Sequence, residues 1–166
     1  CIYHMIILED CLQRYSLVEA ALVIANKVAY DKSKGFSRGY DNLLYWEFAG
    51  NLDKQLAQIS HRLHQYIFQP TIEREKQINW KRRLLYTSTW ADKIVETWLS
   101  RSLNKLLSKW FSRRSYAYRC DRLGIDNCQN DVIATIKQSR YVARRDIKSF
   151  FYSIDHEILL DILTKI

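Results

Sequence analysis

The stretch Tyr141-Val-Ala-Arg-Arg-Asp-Ile-Lys-Ser-Phe-Phe-Tyr-Ser-Ile-Asp-His-Glu-Ile-Leu-Leu160 decides how the chain is read. Its first seven residues have the composition of a short strand, Tyr141–Ile147, with Asp146 near its end. A turn follows, and Asp155 then sits where a helix N-cap is wanted, ahead of a helix over His156–Lys165 with Glu157 at the favourable end of its dipole. A carboxylate at the end of a strand, open to a cleft, suits a hard cation such as Mg²⁺, which takes oxygen ligands and keeps some water for substrate phosphates. Taken alone, an Asp beside Arg144 and Arg145 is more simply read as their ion-pair partner.

Upstream, the pattern is mostly helical. Asp126–Gln138 is expected to be a helix, preceded by a basic loop at 112–122. Val95, Leu99, Leu103, Leu106 and Trp110 form one apolar stripe on a helix capped by Ser88 or Thr89, with Asp92 in its first turn. Between Thr71 and Ser88 the rhythm shortens to two runs that suit a solvated hairpin. Before it, Leu52, Leu56, Ile59, Leu63 and Ile67 recur at helical spacing until Pro70 ends the run. Residues 2–30 read as one long or broken amphipathic helix, followed by a polar loop, Asp31–Gly39.

The 166 residues suffice for one domain with a buried core. With 48% hydrophobic and 27% charged residues the composition argues against disorder, and four glycines with a single proline argue against a sandwich of many hairpins. The net charge of +8 is unevenly placed. Residues 1–70 hold seven basic and seven acidic side chains, so the whole excess lies in residues 71–166. That field suits a polyanion, although a solvated basic surface explains the charge alone equally well. Cys1, Cys11, Cys120 and Cys128 lack zinc-site spacing and read as reduced thiols of a cytoplasmic protein. No stretch is long and apolar enough for a membrane span, so no membrane partner is expected. The chain begins without Met and stops within an apolar helical pattern, which reads as a fragment.

The string Asp146–Leu160 closely resembles the first palm motif of bacterial reverse transcriptases, the RNA-directed DNA polymerases of group II introns, diversity-generating elements and retrons. Arg83-Leu-Leu-Tyr-Thr-Ser-Thr-Trp-Ala-Asp-Lys-Ile-Val95 is similar to the family's fingers segment, in which an Arg precedes an Asp-Arg-Ile-Val helix start. Ser115-Tyr-Ala-Tyr-Arg-Cys-Asp-Arg122 is similar to its Ser-Tyr-Gly-Phe-Arg-Pro-Gly-Arg loop. The three motifs stand in the family's order over about residues 70–163.

The resemblance implies roles position by position. Asp146 matches the catalytic, metal-binding Asp, and the carbonyl of Ile147 a backbone ligand of the same Mg²⁺ site. The amides of Ser149 and Phe150 match those that meet the incoming dNTP, and Phe151 matches the ring under its sugar, although core packing also explains both phenylalanines. Arg83 matches the Arg that clamps the triphosphate, with Lys81 or Arg82 as a second cation on the hairpin. Arg113, Arg114, Arg119 and Arg122 belong to a run of seven cations, from Arg101 to Arg122, against Asp121 alone. With Tyr116 and Tyr118 interleaved, this run suits an RNA template. Trp110 continues the apolar stripe and reads as core, and His156 reads as structural.

Three departures stand out. Cys120-Asp121 replaces the family's Pro-Gly, and Tyr152 stands where relatives often have a small polar or acidic residue. The family's second carboxylate motif, an Asp-Asp pair, occurs nowhere in this sequence. Two-metal phosphoryl transfer needs carboxylates on both sides of the reacting phosphate, so this chain alone is expected to be inactive. The expected fold is α+β and helix-rich, the fingers and partial palm of a right-hand polymerase, incomplete at the C-terminus. Its divisions are residues 1–40, an N-terminal helical extension and loop; 41–139, a fingers-like region; and 140–166, the start of a palm. The expected function is that of the N-terminal part of an RNA-directed DNA polymerase, with RNA template, primer and dNTP as partners. The alternatives are an RNA-binding fragment or degenerate relative without chemistry, and a helical interaction protein.

Overall fold

A computed structural model describes residues 16–36, 38–71, 74–78, 83–119 and 124–165. The protein is helix-rich, with one two-stranded hairpin among the described residues. It divides into two compact units, with the boundary between Ser102 and Leu103.

In the first unit, α1 spans Leu17–Tyr30. Its start is fixed by Ser16, whose hydroxyl accepts from the Glu19 N–H at 3.2 Å while the Glu19 carboxylate accepts from the Ser16 N–H at 3.3 Å. This reciprocal box satisfies two end groups that a helix otherwise leaves unpaired. Helix α1 therefore begins at Leu17, inside the stretch expected to be helical over 2–30, of which 2–15 lie outside the described residues. A single turn, α2 (Lys32–Gly35), lies within the segment expected to be a loop. A Cβ on Gly35 would stand 2.9 Å from Nε1 of Trp46, so only glycine lets that indole lie so close. Helix α3 spans Tyr45–Ala49 and α4 spans Leu52–His64.

Helix α4 stops well before Pro70. The Ile67 N–H reaches back to the Arg62 carbonyl and the Tyr66 N–H to the Leu63 carbonyl, both at 3.0 Å, with Tyr66 in the left-handed region at φ 56°. This Schellman closure pairs the Arg62 and Leu63 carbonyls, so the turn itself ends the helix ahead of the proline. The expected hairpin is present as β1 (Arg74–Ile78) and β2 (Arg83–Thr87), antiparallel, with Arg74 opposite Thr87 and Ile78 opposite Arg83.

Helix α5, Trp90–Leu107, runs across the unit boundary. Its buried face is Trp90, Ile94, Val95, Trp98 and Ser102, rotated from the expected stripe, and Leu99 is exposed. The two indoles supply more apolar surface than the leucines, and Ser102 is fully buried on the same face. Ala20, Ala21 and Ile24 of α1, Tyr45 and Phe48 of α3, and Leu56, Ile59 and Leu63 of α4 complete this core.

The second unit continues α5 into a 3₁₀ turn, Ser108–Trp110, followed by α6 (Ile125–Ile136), a 3₁₀ turn Phe150–Ser153 and α7 (His156–Thr164). The tighter turn at 108–110 breaks the 3.6-residue phase, so Trp110 is exposed rather than core. The expected strand Tyr141–Ile147 is not formed: these residues are irregular and exposed, with no partner strand among the described residues. A strand needs a neighbour to take its backbone groups, and a favourable composition cannot substitute for one. Helix α7 begins as expected, with Asp155 accepting from the N–H groups of Glu157 and Ile158 at 2.9 and 3.1 Å. No residue described in 103–165 is buried.

Candidate nucleic-acid interface

The hairpin is anchored at its root by Asp92. This buried carboxylate, in the first turn of α5, accepts from the Thr89 N–H at 3.2 Å and the Thr89 hydroxyl at 2.7 Å, and its own N–H donates to the same hydroxyl at 3.1 Å. It also accepts from the Thr71 N–H at 3.3 Å. Thr71 precedes β1 and Thr89 follows β2, so one side chain holds both ends of the ribbon. Arg83 opens β2 at the opposite, tip end. Lys81 and Arg82 lie outside the described residues.

Beside this anchor, the Trp90 indole donates to the Leu43 carbonyl at 3.0 Å and packs edge-on against Tyr45, with ring centroids 5.1 Å apart. The Lys93 ammonium stands 3.9 Å from the Trp90 ring centroid. Burial pushes the Lys93 ammonium below its usual range, while Glu96 and Asp41 pull it back up. Burial likewise raises the Tyr45 phenol.

In the second unit the basic segment is an exposed loop with internal braces. Arg119 donates to the carbonyls of Ser112 and Ser108 at 3.3 and 3.4 Å, and its guanidinium lies 5.0 Å from the Phe111 ring centroid. Arg119 therefore shapes the loop, whereas Arg113 and Arg114 are exposed. Arg122 lies outside the described residues. Tyr118 is 90% exposed and left-handed at φ 57°. Tyr116 donates a short hydrogen bond to the Asp131 carboxylate of α6, which raises the phenol above its usual range. This brace was not anticipated from the sequence, because a loop tyrosine and a helix aspartate fifteen residues apart carry no local signal.

The Asp146 turn is fully accessible. One carboxylate oxygen accepts from the next N–H, that of Ile147, at 3.0 Å. Among the described residues it has no ion pair with Arg144 or Arg145, contrary to the simpler reading of the sequence. Ser149 is left-handed at φ 54°, and its carbonyl accepts from the N–H groups of Tyr152 and Ser153 at 2.9 and 3.1 Å. That curl leaves the N–H groups of Ser149 and Phe150 without a backbone acceptor among the described residues. Phe150 and Phe151 meet edge to face at 5.3 Å, and both are exposed, Phe151 by 75%, so neither is core.

No protein family matches this sequence, and no curated protein matches it.

The chemistry of the turn follows from its own donors. Asp146 and the Ile147 carbonyl are hard oxygen ligands, suited to one divalent cation whose remaining positions water or phosphate would fill. Among the described residues no three His, Cys, Asp or Glu side chains gather as a complete metal site. Free backbone N–H groups in a left-handed turn attract phosphate oxygens. Among the described residues no helix is long and apolar enough to cross a membrane, and the half-buried Cys128 is a free thiol.

Proposed function

We propose that this chain is the template- and nucleotide-binding part of an RNA-directed DNA polymerase of the bacterial reverse transcriptase type, the family its three motifs resemble. The observation that carries the reading is the run Asp146–Phe151, which offers a carboxylate, two N–H groups without a backbone acceptor among the described residues and an exposed aromatic ring within six residues. In this reading Asp146 and the Ile147 carbonyl hold Mg²⁺, which supplies charge neutralisation for the triphosphate. The N–H groups of Ser149 and Phe150 meet its oxygens, and Phe151 lies under the sugar, where a flat ring excludes a 2′-hydroxyl. Arg83 grips the triphosphate from the hairpin whose root Asp92 holds. The exposed cations Arg113 and Arg114 carry the RNA template, in a cytoplasmic setting.

The sequence contains no Asp-Asp pair, so the chain by itself is expected to bind RNA without extending a primer. The exposed cations Arg113 and Arg114 serve equally in a second reading, a non-catalytic RNA-binding protein. Binding of a labelled single-stranded RNA, measured across a range of salt concentrations, tests the feature both readings share. Affinity should fall steeply with salt, and the double variant Arg113→Ala/Arg114→Ala should reduce the log–log slope by about 1.4, at roughly 0.7 per phosphate contact on a single strand. Arg119→Ala should weaken binding by loosening the loop. Salt-insensitive binding, or a slope untouched by the double variant, would overturn the RNA-binding assignment.

A further inference from the structure

The second unit contains an open groove of about 600 Å³ between the basic loop, α6 and the irregular segment 139–143. That volume lies within the roughly 300–1,000 Å³ of small-ligand sites. Its walls are largely apolar, lined by Val132, Ile136, Val142 and Tyr141 among others. Tyr141 is 82% exposed, with the Arg140 guanidinium over one face of its ring at 5.7 Å from the centroid and the other face left for stacking. Arg114 stands at the edge, and Asp131 faces the groove.

Asp131 sets the chemistry. Its Oδ2 accepts a hydrogen bond from the Tyr116 hydroxyl, and the carboxylate keeps further acceptor positions for a ligand in the groove it lines. That hydrogen bond makes the phenol hold its proton more tightly than an ordinary tyrosine, so Tyr116 stays the donor of the pair. A carboxylate repels phosphate and accepts from N–H groups, while the arginines outside attract phosphate and the aromatic ring offers a stacking face. An unpaired nucleotide meets all three demands if its base carries an amino group.

We propose that this groove binds an unpaired RNA base bearing an exocyclic amino group, which donates to Asp131 while the base stacks on Tyr141 and the flanking phosphates meet Arg114 and Arg140. The assignment rests on the RNA-binding reading and adds to it a preference among bases. Cytosine and uracil discriminate the contact, since only cytosine carries an exocyclic amino donor at position 4, whereas uracil has a carbonyl there and its lone Watson–Crick donor on the ring at N3.

The test measures binding of oligo(C) and oligo(U) of equal length to the full chain at one salt concentration. Oligo(C) should bind about tenfold more tightly, the discrimination expected of one charge-assisted hydrogen bond. Asp131→Asn, which keeps an oxygen for Tyr116, should bring the two affinities within about twofold while leaving the salt slope unchanged. Tyr141→Ala should weaken both oligonucleotides alike. Equal affinity in the unmodified chain, or a preference that survives Asp131→Asn, would overturn the base contact while leaving salt-dependent RNA binding in place. Failure to bind either oligonucleotide would overturn the RNA-binding reading itself.

Discussion

The carboxylate of Asp92 accepts a hydrogen bond from the backbone N–H of Thr71, twenty-one residues earlier in the chain, at 3.3 Å. Because the same carboxylate caps Thr89, the ribbon between them is closed at its base by one buried anion. Asp92→Ala should leave the Thr71 and Thr89 N–H groups without this acceptor and destabilise the first unit by about 3 kcal/mol, as loss of a buried charged acceptor does. Urea unfolding reads the loss, and amide exchange at Thr71 and Thr89 should accelerate together. Independent exchange of the two amides would show that Asp92 does not couple the ends of the hairpin.

Trp98 is 1% exposed, and among the described residues its indole N–H has no hydrogen-bond partner. Trp98→Phe removes that orphaned donor and keeps most of the ring, so it should cost less than about 1.5 kcal/mol, against about 3–5 for Trp98→Ala. Denaturant midpoints of the two variants decide the matter. A Phe variant as unstable as the Ala variant would mean that the indole is satisfied by an internal water.

Lys93 links stability to pH with a definite sign. Burial lowers its proton affinity in the native state, so the unfolded chain binds this proton more tightly. Stability from this group therefore rises as pH climbs into the range just below the ordinary lysine value. The difference in unfolding free energy between the unmodified protein and Lys93→Met should be more favourable to the unmodified protein at pH 10 than at pH 7. A difference that is flat or opposite in slope would show that the ammonium is fully hydrated.

The Asp146 turn separates chemistry from stability. Its carboxylate is exposed and makes only a local hydrogen bond, so Asp146→Asn should leave the melting temperature of this chain within about 2 °C. Ser149→Gly should be tolerated at φ 54°, whereas Ser149→Val should cost the turn about 1–2 kcal/mol. The local readout is amide exchange at Tyr152 and Ser153, whose N–H groups both rest on the Ser149 carbonyl. Equal protection in the Gly and Val variants would show that the left-handed geometry is not required.

Features fixed by neighbours in sequence were legible. The hairpin, the start of α5 at Thr89, the extent of α6 and the Asp155 cap of α7 each depend on a few consecutive residues, and each was read correctly. Ser16-Leu-Val-Glu19 carried an equally local start signal, a capping box, that the reading passed over. Long-range choices were not legible. Which face of α5 is buried depends on what packs against Trp90 and Trp98, and the Tyr141–Ile147 segment lacked the partner that would make it a strand. For the site, the exposure of Asp146 and Phe151 and the brace between Tyr116 and Asp131 have no signature in the sequence, because each depends on what does or does not stand nearby in space.

The exposure of apolar side chains across residues 103–165 has a calorimetric consequence. Heat capacity rises on unfolding because apolar surface meets water, by roughly 12–15 cal/mol/K per residue in proteins that bury a core. Ile125, Val132, Ile136, Ile158, Leu160 and Ile162 are already at least 43% exposed, so melting this region changes their hydration little. The heat absorbed by the isolated chain should thus scale with the roughly ninety residues of the first unit, and the remainder should register as a sloping native baseline without a peak of its own.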